Sequence, residues 1–298
     1  MKNRAVAGMA MVLLAAMLWG TTGSAQSLVP AGLPAHWVGA LRLLVASLFF
    51  AAYLPLERQA LPLATRYAQV PWRWVALAGL CVAAYNLTFF AGVKASSVAV
   101  GTAIAIGSGP IWAGLLQIAV NRRPPAGVWW VGTLLAVAGG SLMVLGSATR
   151  LQISMAGVGL CLVSGVSYAA YTLISKHLVG ATPASVVAQC IFSCAAVMAA
   201  VVAWAVSGPP STTVQGWGVV LYLGIFATGA AYLLFTHALR RISGTTAVSM
   251  VLVEPITAFC LAILVVGERP PVAAFAGLAL VIAGLALVVR AELRAAPV

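Results

Sequence analysis

A chain of 298 residues that is 63% hydrophobic and only 7% charged cannot cover itself with a water-soluble surface, which takes roughly 25% charged residues. Its net charge of +12 would suit nucleic acid, but the bases stand singly or in pairs at the ends of apolar runs. That placement is an orientation signal in a membrane protein, so the expected partner is the lipid bilayer and not nucleic acid.

A bilayer-spanning helix needs about 20 apolar residues. Ten such runs are present, with short links and no room for a soluble domain: 5–22, 35–54, 74–93, 96–120, 128–145, 156–175, 183–207, 217–239, 245–266 and 272–290. The expected fold is therefore an all-α membrane protein of ten transmembrane helices. Lys2 and Arg4 before the first run, with Gly23-Ser24-Ala25 before Gln26, resemble a signal peptide and its cleavage site. The first run has a counterpart in the second half of the chain, so it is kept as helix 1.

The chain repeats itself. Gly109-Pro110, then Asn121-Arg122-Arg123-Pro124-Pro125, then Gly132 and Gly139 recur as Glu254-Pro255, then Gly267-Glu268-Arg269-Pro270-Pro271, then Gly277 and Gly284. Both the prolines and the glycine pairs lie 145 residues apart (255 − 110, 277 − 132), close to half the chain. Ala84-Tyr85 in helix 3 answers to Ala231-Tyr232 in helix 8, and Ala7-Gly8 to Ala156-Gly157. A repeat of this kind defines two modules, 1–149 and 150–298, of five helices each.

Five is odd, so the two copies must insert in opposite orientations. With the N-terminus in the cytoplasm, the even-numbered helices are followed by cytoplasmic links and both termini are cytoplasmic. That side then carries Lys2, Arg4, Arg58, Arg66, Arg73, Arg122, Arg123, Lys176, Arg240, Arg241, Arg290 and Arg294, which is twelve of the sixteen bases. The repeated link itself reads Asn-Arg-Arg on the inner side and Gly-Glu-Arg on the outer. One motif charged differently on its two faces points to an inverted repeat, an architecture of secondary transporters.

Two five-helix halves, a proline midway along helices 4 and 9, and Gly267-Glu268-Arg269 ahead of a glycine-containing last helix resemble the EamA-type drug/metabolite transporters. The resemblance covers essentially the whole chain. The first half departs from the pattern, with Gly109 in place of the Glu and Asn121-Arg122 in place of Gly-Glu. What the resemblance implies is a multi-pass protein of the bacterial cytoplasmic (inner) membrane that exports small metabolites, amino acids or drugs. Aromatic amino-acid exporters are among the family's members. Small multidrug exporters of the same superfamily carry an acid in their first helix, which helix 1 here lacks.

Helix breaks at matching places in two halves point to a transport site. Here they are Gly107-Ser108-Gly109-Pro110 and Val253-Glu254-Pro255, where each proline frees a carbonyl one turn earlier. Glu254 is the acid deep in the membrane. Its readings are proton coupling, contact with a substrate amine, a structural hydrogen bond, or pairing with Arg42. Arg42 could bind a carboxylate or snorkel to the outer interface. The candidate substrate-binding set is Trp19, Tyr85, Asn86, Trp112, Tyr168, Tyr171, Tyr232 and Glu254, since Trp and Tyr join apolar area to one polar group. Gln117 is a further polar handle. Trp129, Trp130 and Trp217 read as interfacial belt residues. His36, His177 and His237 lie near helix ends.

The glycines of helices 5 and 10 fall on one face of each helix and read as scaffold or a dimer face. The cysteines read as packing residues, with no disulfide, metal or cofactor expected. An intramembrane hydrolase would need a base near Ser108, and no histidine is expected at that depth. The expected function is thus a non-enzymatic secondary exporter of small amphipathic metabolites, neutral or aromatic amino acids first, working by alternating access. A passive channel, or a cationic-drug exporter using Glu254, are the alternatives. Protons as the coupling ion, and a monomer or homodimer, are left open.

Overall fold

A computed structural model describes residues 2–22, 25, 33–57, 62–68, 70–96, 98–146, 154–261, 263–264 and 270–295. Among the described residues, ten helices are long and apolar enough to cross a membrane. We number them α1 (Lys2–Gly20), α2 (Ala35–Tyr53), α3 (Trp72–Ala95), α4 (Val98–Asn121), α5 (Gly127–Gly146), α6 (Met155–Leu178), α7 (Ala184–Ser207), α8 (Val214–Ala238), α9 (Gly244–Leu261) and α10 (Val272–Ala295). A short helix, Leu63–Ala68, sits in the link between α2 and α3. An all-helical answer follows from the solvent: in lipid, backbone groups must be satisfied within the segment.

Two helices are composite. α8 is an α-helix to Gly224, a π-helical turn over Ile225–Ala230, and an α-helix from Ala231. α9 is an α-helix to Met250, a 3-10 turn over Val251–Val253, and an α-helix from Glu254. The expected break ahead of Pro255 is therefore present. The expected break at Gly107–Pro110 is not: α4 runs unbroken from Val98 to Asn121 with Pro110 inside it. A proline removes one donor, and packing from neighbouring helices can carry a membrane helix through that loss.

Side-chain contacts sort the links onto two ends. At one end Glu57, after α2, meets His237 of α8 at 3.5 Å and accepts from Ser185 Oγ of α7. Lys176 Nζ at the end of α6 donates to Leu239 O (2.6 Å). Glu292 of α10 accepts from Ser243 N (2.8 Å), Ser243 Oγ (2.7 Å) and Thr246 Oγ1 (2.7 Å), capping α9. Trp129 at the start of α5 packs with Val288 and Ala291 at the end of α10. At the opposite end Trp37 Nε1, entering α2, donates to Gly208 O leaving α7 (2.9 Å). Gly208 ends α7 with φ 63°, a left-handed turn that suits glycine. Gly146 ends α5 there against Ala273 of α10.

The contacts pair as an inverted duplication requires. α3 packs on α6 as α8 packs on α1, while α2 meets α7 and α5 meets α10. The α5–α10 pair is the tightest. A Cβ on Gly139 would stand 2.5 Å from Gly277 O, and one on Gly132 would stand 2.6 Å from Gly284 O. The register 139/277 and 132/284 runs antiparallel. The glycine stripe therefore holds these two helices to each other as internal scaffold.

Candidate functional site

The central feature is an aromatic cluster between the halves. Trp19 of α1 lies 4.8 Å from Tyr232, 5.4 Å from Phe235 and 6.4 Å from Tyr168, centroid to centroid. Tyr168 reaches Tyr85 (5.6 Å) and Tyr171 (6.2 Å), and Tyr171 reaches Tyr232 (5.9 Å). The repeat mates Tyr85 and Tyr232 both belong to the cluster, Tyr85 through Tyr168 and Tyr232 through Trp19. Five of the eight sequence-chosen residues thus form one group. Phe192 (4.6 Å from Tyr232) and Phe235 complete it. Phe235 was legible, one turn from Tyr232; Phe192 carried no distinguishing signal.

The other three sit around this group. Trp112 packs with Tyr168 against Ala113, Ala169 and Val248. Asn86 is buried and turns its Nδ2 back to Val82 O (2.9 Å). Glu254 begins the second part of α9 and is half-buried. Gly20, next to Trp19, lets α1 close on it: a Cβ there would stand 2.8 Å from Glu254 O. Gln117 lies away from the cluster, donating to Arg123 O in the link after α4 (3.3 Å).

Arg42 does not snorkel. It is only 5% exposed and donates from Nε to Thr228 Oγ1 (3.1 Å), which itself donates to Leu223 O (2.8 Å) five residues back in the π-helical turn. Arg42, Val45 and Phe49 form one face of α2, and that face seats on the turn, with Val45 against Gly224 and Phe49 against Gly229. Thr228 is one helical turn before Tyr232, so Arg42 is delivered to the aromatic cluster. Arg42, through Thr228, and Glu254, through the Gly20 contact beside Trp19, approach the cluster from two different helices. Among the described residues no ion pair joins Glu254 or Arg42 to a partner.

Around the two prolines the geometry differs from expectation. Val251 O, which Pro255 would free, accepts the Glu254 N–H in the 3-10 turn. Gly107 and Pro255 share a small niche with Ile106, Val137, Gly140 and Leu252, with room for about one water molecule. Gly109 faces Tyr168, its Cβ position 3.7 Å away. Trp129 is 3% exposed and buried on Val288, not a belt residue as expected, whereas Trp217 is exposed. The histidines sit at helix ends: His36 on Ser207, His177 on Trp74, His237 on Glu57. Cys194 packs at Gly79 and Cys161 at Gly92.

Ten apolar helices in two opposed halves around a buried aromatic and charged centre define a multi-pass integral membrane protein of the transporter type. Residues 6–145 and 155–290 match the EamA-like transporter family, and the chain belongs to that family. A Bacillus subtilis (strain 168) protein described as uncharacterized transporter YwfM is 37% identical over 281 residues, 93% of this chain and 92% of its own. A Clostridium kluyveri protein described as an uncharacterized transporter is 33% identical over 132 residues, 43% of this chain and 42% of its own. A solved crystal structure shares the fold with a TM-score of 0.81 at 20% identity, covering 97% of this chain and 99% of that one.

Proposed function

We propose that this transporter exports small amphipathic metabolites, neutral or aromatic amino acids first, across a bacterial cytoplasmic membrane, without catalysing a reaction on them. The observation that carries this reading is the convergence of Trp19, Tyr85, Tyr168, Tyr171 and Tyr232 between the two halves. Aromatic walls offer apolar area with single polar handles, which suits a solute that is part apolar and part polar.

The mechanism is alternating access, opposed halves rocking about a fixed centre to expose it to each side in turn, and the two-half arrangement supports this reading. The end carrying Glu57, Lys176, Arg240 and Glu292 is assigned to the cytoplasm, because bases gather there. The five-helix modules 1–149 and 150–298 are the moving units. Pro255, with the 3-10 turn before it, supplies a local change of helix geometry beside Glu254. Gly107, Gly109 and Pro110 supply close packing within a continuous α4.

A cationic-drug exporter is the second reading, favoured by the absence, among the described residues, of an ion pair on Glu254 and opposed by the buried cation Arg42. The test is counterflow in proteoliposomes loaded on one side with single solutes. Neutral and aromatic amino acids should exchange well above empty vesicles. Exchange of lipophilic cations alone would replace the amino-acid reading with the drug reading.

A further inference from the structure

Arg42 and Glu254 are opposite charges on helices that meet the aromatic cluster, and among the described residues no ion pair joins them. Arg42 reaches the centre from α2 and is held through Nε by Thr228 Oγ1 at 3.1 Å. Glu254 stands at the restart of α9, where Gly20 of α1, next to Trp19, closes on its backbone. Trp19, which precedes Gly20, bridges the two approaches: its ring packs tilted on Tyr232 with centroids 4.8 Å apart, and Tyr232 follows Thr228 by one turn. Trp19 is 6% exposed, and its Nε1 is a buried donor without an acceptor.

A buried charge is costly unless it is paired. Two opposite charges that approach one aromatic cluster from different helices, without an ion pair between them, set a field with a direction across it. We infer that Arg42 and Glu254 are a specificity-determining pair that reads a zwitterion, Arg42 taking its carboxylate and Glu254 its ammonium, with Trp19 Nε1 as a further donor to the carboxylate. This deepens the amino-acid reading above and rests on it. A zwitterion satisfies both charges at once and brings no net charge into the membrane. A cation or an anion of the same shape satisfies one charge and strands the other.

The experiment uses the full-length wild-type protein in proteoliposomes and measures inhibition of phenylalanine counterflow. The competitors are phenylalanine itself, phenethylamine (no carboxylate), 3-phenylpropionate (no amine) and N-acetylphenylalanine. Phenylalanine should compete at least about tenfold better than each analogue, as expected where a site's buried polar group is left unpaired. Phenethylamine or 3-phenylpropionate competing within threefold of phenylalanine overturns the pair while leaving the amino-acid reading intact.

Glycine betaine and carnitine are tested in the same vesicles as direct counterflow substrates. If they exchange and no amino acid does, the amino-acid reading falls and the pair stands. If no zwitterion exchanges, both fall. In variants, Glu254→Gln should raise 3-phenylpropionate towards phenylalanine, and Arg42→Gln should do the same for phenethylamine. Because Arg42 also holds the π-helical turn, the wild-type panel decides if that variant does not fold.

Discussion

Ser47 Oγ of α2 and Ser193 Oγ of α7 lie 2.6 Å apart, and the two residues are separated by 146 positions, the repeat spacing to within one residue. Residues related by an internal two-fold meet only near its axis. Trp19 and Tyr168, offset like Ala7 and Ala156, are a second such meeting, with ring centroids 6.4 Å apart. The axis therefore passes from the α2–α7 contact through the aromatic cluster.

A Ser47→Cys/Ser193→Cys pair tests whether α2 and α7 move against each other there. In a background with the five native cysteines replaced, mild oxidation should join the pair, since the side chains already touch. Joining should slow transport at least about tenfold if the α2–α7 crossing repacks during alternating access. Rapid disulfide formation with unchanged transport would make that crossing a fixed pivot.

The α5–α10 pair makes a packing prediction. Gly139→Ala places a Cβ 2.5 Å from Gly277 O and should cost about 1–3 kcal/mol in detergent unfolding. Gly159→Ala, whose Cβ position has nothing within 4 Å, should fall within about 0.5 kcal/mol of wild type.

Glu292 caps α9 by accepting three hydrogen bonds from Ser243 and Thr246. Glu292→Ala strands those donors and should destabilise by about 1.5–3 kcal/mol, while Glu292→Gln should recover part of it. Equal thermal unfolding of all three proteins would remove the cap from the account.

Within the centre, Tyr85→Ala/Tyr232→Ala should reduce counterflow at least about tenfold, by loss of aromatic contact area that truncation removes. Intact transport would take those side chains out of the site. Trp19→Phe keeps the ring contact with Tyr232 but loses Nε1, so it separates area from hydrogen bonding.

Much of this was legible in the sequence because repetition is arithmetic. Equal offsets matched Tyr85 to Tyr232 and the glycines of α5 to those of α10, and composition fixed the solvent. What sequence hid was tertiary. Nothing local marks Thr228 as the partner of Arg42, or Ile225–Ala230 as a π-helical turn; both exist because the Arg42, Val45 and Phe49 face seats there. Trp129 looks like a belt residue until α10 is laid across it. Pro110 looks like a break, yet α4 stays helical through it. The repeated Gly267-Glu268-Arg269 link, which carries the charge argument, lies outside the described residues.

Opposite insertion of the halves is tested most directly at that repeated link. Arg123→Cys and Glu268→Cys, each as the single cysteine, are treated with a membrane-impermeant maleimide in intact and permeabilised cells. The account predicts labelling of Glu268→Cys in intact cells and of Arg123→Cys only after permeabilisation. Labelling of both from the same side would contradict it.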